Sequence, residues 1–588
     1  MQARALPSTA AAALFAALPL ALAHGDDHGM DMGGMAEHGA KGNAPVAVHD
    51  AVGDDGWPMS YFSYPEHVGL LWTCVALTVI TWLLVAPPVV MLSAARSRLA
   101  VPAQFLFLAL QALTLFVGIA YDAKTPVLYE NGAYSKLRWP LFFITGIWTF
   151  LGLINFYADR ANASGEVGQP LSAAAMARYS RLQQVSSEHP RFSHDSGQGT
   201  ERNSASLYGH SRSPSAESDN LPSPYLDDVD DFEEKPGFQQ NGRADRWISR
   251  FIPRVSTGRS LRLVRFFYVL IERTILLLGF VLLLMGTVTL GGIARGDAVF
   301  NILAHYVKGA IFFWYGLLTL GRWMGCFADF GWAWNVKPGE HLVGRWKARI
   351  PTAEFTESFV IFLYGSSNVF MEHLAAWGGA WTAQDLEHVS ISVMFFGGGA
   401  LGMLIESKRV RELLNSAMLS SRDPISHSAD EKWEQPKTYR VSLNPMPAMV
   451  ILLLGMMMGS HHQASMLSSM VHKQWGNMFV GFALARAATY LLLYLSPPTS
   501  FLPARPPTEI VSSFCLVAGG ITFMVSNKDT VSALESFDLD AMFTFVLTVG
   551  LTALILAWTV INIALKGWAF RREHASSFPR QSAGASLA

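Results

Sequence analysis

A succession of long apolar segments constrains this chain more than any other feature of its sequence. Most of these segments have the length that a helix needs to cross about 30 Å of hydrocarbon. Of the 588 residues, 51% are hydrophobic and only 15% are charged, a low charged fraction for a soluble domain. We therefore predict an all-α, polytopic helical membrane protein with about eleven transmembrane helices. The predicted spans are Val68–Leu92, Gln104–Tyr121, Trp139–Ala158, Val264–Gly291, Asn301–Gly325, Glu357–Trp377, Leu386–Ile405, Met446–Met458, Trp475–Leu495, Glu509–Val525 and Ala541–Leu565.

The spans fall into two blocks, three in residues 61–160 and eight in residues 261–568. Between them, residues 161–260 are rich in serine, arginine, aspartate and glycine and have no apolar periodicity, which predicts a disordered linker. Ser213 and Ser223, each followed by proline, are candidate sites for a regulatory kinase. Residues 569–588 form a polar tail.

Two independent cues predict the orientation in the membrane. Residues 1–23 resemble a signal peptide, with Arg4, an apolar run and an Ala-Leu-Ala cleavage sequence. Cleavage would leave the N-terminus lumenal, and the loops that this places in the cytosol, among them the linker and the C-terminal tail, carry most of the loop lysines and arginines. We expect a lumenal N-terminus, a cytosolic C-terminus and a location in the secretory pathway, the vacuolar membrane or the plasma membrane.

Several classes of function are excluded or disfavoured by the sequence. The net charge of −1 gives no field that would attract nucleic acid. Walker-type GxxxxGK[ST], HExxH and GxSxG motifs are absent, so an enzyme is not the favoured interpretation. The three cysteines lie in or beside apolar runs, and we expect buried, inert thiols rather than a disulfide framework.

Histidine and methionine concentrate in two regions that the predicted topology places on the lumenal side. Residues 24–60 form a His/Met-rich tail, HGDDHGMDMGGMAEHG, which resembles the extracellular tails of copper transporters of the Ctr type. The second region, residues 455–478, runs from the end of one span of the second block to the start of the next. His305 is placed about one turn inside the lumenal end of another span. Because imidazole and thioether suit soft or borderline metals, we predict a copper or zinc site. Its candidate ligands are His373, His388, His461, His462 and His472, with Met466 and Met470 as auxiliary thioethers.

Charges inside the spans should be paired across the bundle. Placing a lone arginine at mid-bilayer costs at least about 2.5 kcal/mol, so Arg486 and Glu272 are each expected to face a partner, and to pair with one another as one arrangement. The run Gly397–Gly398–Gly399 predicts close helix packing.

Two segments carry a family resemblance: YFSYPEHVGLLW at 61–72 and PAQFLFLALQALTLFVGIAYDAKTPVLYENGAYSKLRW at 102–139. Together with the histidine-bearing second block, they resemble the fungal Ytp-one-like membrane proteins. The resemblance implies an N-terminal helical domain of unknown function and a C-terminal multi-pass domain. That N-terminal domain in turn resembles cytochromes of the ascorbate-reducible b type, whose haem is held by histidines on facing helices.

The residues depart from the cytochrome pattern, because His67 is the one histidine in residues 60–160 and cannot supply both axial ligands. We therefore do not expect b-type haem in this domain. Three functions remain open: handling or transport of a soft metal ion through the lumenal His/Met cluster, a membrane redox protein, and a non-catalytic membrane scaffold. The lipid bilayer and a metal ion are the partners that the sequence favours.

Overall fold

The computed structural model describes residues 57–165, 260–296, 298–371, 380–419, 441–460, 463 and 465–573. Helices occupy all eleven predicted positions within these ranges, which confirms the all-α polytopic fold. They are α1 (Val68–Ala94), α2 (Ala100–Asp122), α3 (Ala133–Gly165), α4 (Ser260–Gly291), α5 (Ala298–Met324), α6 (Ala353–Met371), α7 (Ala383–Glu406), α8 (Met446–Ser460), α9 (Met466–Leu495), α10 (Thr508–Val525) and α11 (Ala541–Glu573).

Nine of the described helices can cross a membrane by length and composition, whereas α8 is a shorter apolar helix and α6 is not among the nine. The count of eleven spans therefore stays a prediction. The predicted signal peptide, the His/Met-rich tail up to residue 56, most of the linker and the end of the C-terminal tail lie outside the described residues. So do Ser213 and Ser223.

Helix α1 contains one turn of π-helix, Ile80–Val85, directly before Pro87 and Pro88. Proline has no N–H, so neither residue can donate to the carbonyl of Leu83 in an α- or π-type pattern. The indole N–H of Trp558 in α11 donates to that carbonyl instead, at 2.9 Å. A backbone group that would otherwise be unsatisfied within the membrane is thus paired by a neighbouring helix.

Helix α4 shares a core with the first block, although the linker separates them in sequence. Tyr268, Ile275 and Leu282 of α4 are buried with Trp82 and Phe107 of α1 and α2. The described residues of 57–156 and 263–573 form one compact unit. The boundary at the linker is therefore not a boundary in packing.

The motif YDAKTPVLYEN fastens the first block to the connection between α4 and α5. The Tyr129 hydroxyl donates to the carbonyls of Ile293 and Ala294, at 2.9 and 3.0 Å. In return, Arg295 donates to the carbonyl of Leu128 at 2.6 Å. Each contact joins a side chain of one segment to a backbone carbonyl of the other, so Tyr129 and Arg295 together hold the loop in place.

Six of the seven remaining helices of the second block pack in a series that does not follow chain order: α5, α10, α9, α8, α7 and α6. The seventh, α11, packs against α10 and α1. Glycines bring the backbones together. A methyl group on Gly520 of α10 would lie 2.6 Å from the Phe313 nitrogen of α5, and one on Gly399 of α7 would overlap the Phe362 backbone of α6. Close packing was predicted for the 397–399 glycines, and it holds for Gly399 whereas Gly397 borders open space.

The prediction that all three cysteines are buried is wrong for one of them. Cys74 and Cys515 are buried, but Cys326 is exposed. It lies two residues beyond the end of α5, where the chain has left the bundle.

Candidate functional site

A cavity of about 780 Å³ lies between α5 and α6, the two ends of the helix series. Its walls are mostly aliphatic and aromatic, and they include side chains of α4, α7, α8, α9 and α10 as well. Eight aromatic residues line it: Phe312, Trp314, Tyr315, Trp332, Tyr364, Phe395, Trp475 and Phe523. The volume falls within the range of about 300–1,000 Å³ that is usual for sites of small molecules and cofactors.

Most polar side chains of the cavity wall gather near its two ends. Thr356 and Glu357 lie near one end of α6, and Asn368 and His388 lie near the other. Asn368 lies eleven positions after Glu357 in the helix, which corresponds to about 17 Å along the axis. Asn368 donates to the Ser392 hydroxyl at 2.6 Å, and that hydroxyl donates to the His388 carbonyl at 3.0 Å.

A buried network of five charged groups adjoins the Glu357 end of the cavity. Arg322 donates to Glu357 at 2.6 Å and to Glu354 at 2.8 Å. Arg486 donates to Glu509 at 2.7 Å and to the second oxygen of Glu357 at 3.3 Å. All five side chains are buried. The network joins α5, α6, α9 and α10, so it holds together the helices at both ends of the series.

The loop after α5 covers this network with an aromatic side chain. The Arg322 guanidinium lies 4.2 Å from the ring centre of Trp334, a distance at which cations are attracted to the ring. Trp334 has a φ of 50°, an unusual value for a bulky residue. Its neighbour Asn335 fixes the loop by donating to the carbonyls of Ala328 and Phe501, at 2.9 and 2.8 Å. Surrounding packing and hydrogen bonds thus maintain the strained backbone.

The predicted pairing of Glu272 with Arg486 is wrong. Glu272 accepts a hydrogen bond from Ser93 of α1 and lies 3.9 Å from Arg273. The physical reason is the packing of α4 against the first block, whereas Arg486 of α9 is enclosed by α6 and α10.

Three histidines gather at the other end of the second block. The rings of His305 and His472 have centroids 6.2 Å apart, and His388 is near enough to act on His305 electrostatically. The Nδ1 atoms of His305 and His472 lie 2.7 and 2.8 Å from the carbonyls of Asn301 and Ser468, one turn earlier. If each Nδ1 donates to its carbonyl, Nε2 carries the lone pair, as in many metal-binding histidines.

Only part of the predicted metal site can be located. His472 lies beside His305, which the predicted ligand set did not contain, and His388 is close enough to act on His305 electrostatically. Met466 and Met470 lie on an exposed face of α9, whereas His472 is buried. His373, His461 and His462 lie outside the described residues. Within the described ranges, no three histidine, cysteine, aspartate or glutamate side chains form a group that could hold a metal ion.

Sequence reasoning missed most of the charge network, although its signals were present. Glu357 and Glu509 are the first residues of their predicted spans, and Arg322 is three residues from the end of another. None of these three was among the charges predicted to be paired across the bundle. Their convergence on Arg486 depends on the packing order of the helices, which one sequence does not reveal.

Comparison with known protein families gives two matches, one in each of the two blocks. Residues 278–567 match the family described as "Protein YTP1-like, C-terminal", and residues 56–158 match a domain of unknown function, DUF2427. The "Uncharacterized membrane protein C3B8.06" of Schizosaccharomyces pombe is 32% identical over 535 residues, which cover 89% of this chain and 99% of that protein. The chain belongs to the YTP1-like family.

Two Saccharomyces cerevisiae relatives extend this assignment. "Uncharacterized membrane protein YCR061W" is 38% identical over 50% of this chain and 47% of its own length. "Protein YTP1" is 22% identical over 43% of this chain and 44% of its own length. No solved structure matches the chain. The relatives and the apolar helices together establish that this member of the YTP1-like family is an integral, multi-pass membrane protein in contact with the lipid bilayer.

Proposed function

We propose that this protein binds a neutral amphipathic molecule of the lipid class in the cavity between α5 and α6. The observation that carries the proposal is the cavity itself, which has about 780 Å³ of space and apolar walls inside a membrane bundle. An elongated apolar body would occupy the space between the two ends, and a hydroxyl or similar polar group would meet Asn368 and His388 or Thr356 and Glu357. Such a molecule dissolves in hydrocarbon, so it would reach the cavity from the bilayer.

The charges on the cavity wall favour a neutral ligand over a charged one. Glu357 accepts from two arginines, and Arg273 lies 3.9 Å from Glu272. Lys308, the other charged group on the wall, also has an interaction partner. A charged ligand would therefore have to compete with interactions that already exist, whereas a neutral one would not.

A fluorescent sterol is a suitable probe, because three tryptophans line the cavity and can transfer excitation energy to it. With the purified protein in nanodiscs, we expect saturable energy transfer that Val360→Phe reduces at least several-fold, since Val360 is on the cavity wall. Val546→Phe, on an exposed face of α11, is the matched control and should leave the binding unchanged. Equal binding by both variants would contradict the proposal.

A second candidate is the handling of a soft metal ion at the histidine end, in the lumen of the secretory pathway. It is favoured by the adjacent rings of His305 and His472 and by the carbonyl contacts of their Nδ1 atoms. His388 and the residues outside the described ranges, His373, His461 and His462, would complete the ligand set. Copper would be favoured by thioether ligands, and zinc or Cu(II) by carboxylates.

Metal analysis of the purified protein tests this candidate. We expect bound copper or zinc that is lost in the His305→Ala/His472→Ala variant and retained in His341→Ala, which lies in the loop between α5 and α6. Deletion of residues 24–40 should lower the metal content only modestly, because that tail would raise the local concentration of metal without forming the site. Equal metal content in all four proteins would contradict the metal site.

A further inference from the structure

The buried network at the Glu357 end contains one more carboxylate than it has cations. Arg322 and Arg486 contribute two positive charges, and Glu354, Glu357 and Glu509 would contribute three negative charges if all were ionised. An uncompensated charge that is excluded from water is costly, and in a membrane the cost is met by a partner, a proton or a cation.

Geometry identifies which carboxylate is in surplus. Arg322 has its own partner in Glu354, at 2.8 Å, and Arg486 has its own partner in Glu509, at 2.7 Å. Glu357 is the additional acceptor, with one oxygen on each arginine. If Glu357 is neutral, the other four groups form two complete ion pairs.

Glu357 also lies where a proton can reach it. It is the member of the network that lines the cavity, whereas the other four do not contribute to the cavity wall. Tyr315, on the same wall, is close enough to act on it electrostatically.

We propose that Glu357 is a proton-binding site that exchanges with the cavity, and that its protonation controls the connection between α6 and α9. When Glu357 is ionised, its two oxygens tie Arg322 of α5 to Arg486 of α9. When it takes up a proton, that bridge weakens while Arg322–Glu354 and Arg486–Glu509 remain. The connection between α6 and α9 is then weaker, while Arg322–Glu354 still joins α5 to α6.

Other titratable and charged groups surround Glu357 on every side that is packed against it. The groups on the network side are Arg322 and Tyr315 of α5, Glu354 of α6, Arg486 and Tyr490 of α9, and Glu509 of α10. Glu406 of α7 lies beyond Glu354 and accepts from Thr352 and Ser442, and Arg273 of α4 faces the cavity beside Glu272. None of these adds an unpaired cation that would balance the surplus.

Infrared difference spectroscopy of the full chain in nanodiscs tests the proposal directly, with the proton as the only ligand. The wild-type protein should show the C=O stretch of a protonated carboxyl group that titrates with pH, and Glu357→Gln should lose this band. Glu509→Gln should also lose it, since two carboxylates would then face two arginines and no surplus would remain. Glu412→Gln, on an exposed helix, is the control and should keep the band.

The outcomes separate this proposal from the lipid ligand, because no lipid probe is added. Absence of a titrating carboxyl band in the wild type, or a band that persists in Glu357→Gln, would overturn it. If Glu357→Gln does not fold, Glu509→Gln provides the test. An unchanged carboxyl band in that variant would contradict the proposal that the network holds one surplus carboxylate.

Discussion

Arg322 donates to Glu357 at 2.6 Å, and this bond joins the two helices that flank the cavity. Helices α5 and α6 are otherwise the opposite ends of a packed series, so the pair closes the series at one end of the cavity. Both side chains are buried, and in this the contact differs from the exposed ion pairs of the loops.

Replacement of Arg322 should destabilise the protein strongly. In Arg322→Gln, Glu354 and Glu357 lose their shared cation, and removal of one member of a buried ion pair typically costs about 3–5 kcal/mol. Arg345→Gln is the matched control, because Arg345 pairs with Glu340 at the exposed surface and should change stability by less than about 1 kcal/mol. Unfolding of the purified proteins in the same detergent measures the difference, and similar stabilities would contradict a structural role for the network.

Two glycines of α7, Gly397 and Gly399, should respond differently to the same substitution. A methyl group at position 399 would overlap the backbone of Phe362, so Gly399→Ala should cost about 1–3 kcal/mol. Gly397→Ala meets open space and should be neutral, or stabilising by up to about 1 kcal/mol because alanine favours the helix. Thermal unfolding of the two variants is the measurement; equal effects would argue against the α6–α7 contact.

The contribution of the hydrogen bond from Trp558 to the Leu83 carbonyl should depend on the presence of Pro87. Trp558→Phe should cost about 1–3 kcal/mol, because it leaves the half-buried Leu83 carbonyl unsatisfied within the membrane. In a Pro87→Ala background, residue 87 regains an N–H that can donate to Leu83, so the cost of Trp558→Phe should shrink. A double-mutant cycle on unfolding free energies measures the coupling, with the exposed Trp568→Phe as control. Additive effects would contradict this explanation.

The predicted orientation can be checked with the thiol at the end of α5. Cys326 is exposed whereas Cys74 and Cys515 are buried, so an impermeant thiol reagent should modify Cys326 and leave the other two unmodified in the folded protein. The end of α5 is predicted to be cytosolic, so we expect labelling in permeabilised cells and in isolated vesicles whose cytosolic face is outward, but not in intact cells. Asn162, which begins the sequon Asn162–Ala163–Ser164 and is also predicted to be cytosolic, should carry no glycan. Labelling of Cys326 from the lumenal side would reverse the orientation.

The positions of the helices could be predicted from the sequence, since hydropathy alone determines where a membrane helix is stable. The helix ends were predicted less accurately, because polar residues end an apolar segment of the sequence without ending the helix. Helix α9 was predicted to begin at Trp475 but begins at Met466, and His472, Lys473 and Gln474 are simply part of it.

The candidate site could be predicted only in part. His388 and His472 were identified as residues that could come together, because both lie at helix ends on one predicted side of the membrane. The cavity and the network could not be predicted, because both arise from the order in which six helices pack. The mistaken pairing of Glu272 with Arg486 has the same origin, since nothing in the apolar pattern indicates that α4 packs against the first block.

The most direct test of the proposed ligand site is the lipid content of the purified protein. Mass spectrometry of lipids extracted from the wild type should show one neutral amphipathic species enriched over the surrounding detergent-solubilised membrane. That species should be lost from Val360→Phe and retained by the exposed control Val546→Phe. Identical lipid profiles for the wild type and Val360→Phe would contradict the assignment of the cavity as a lipid-binding site.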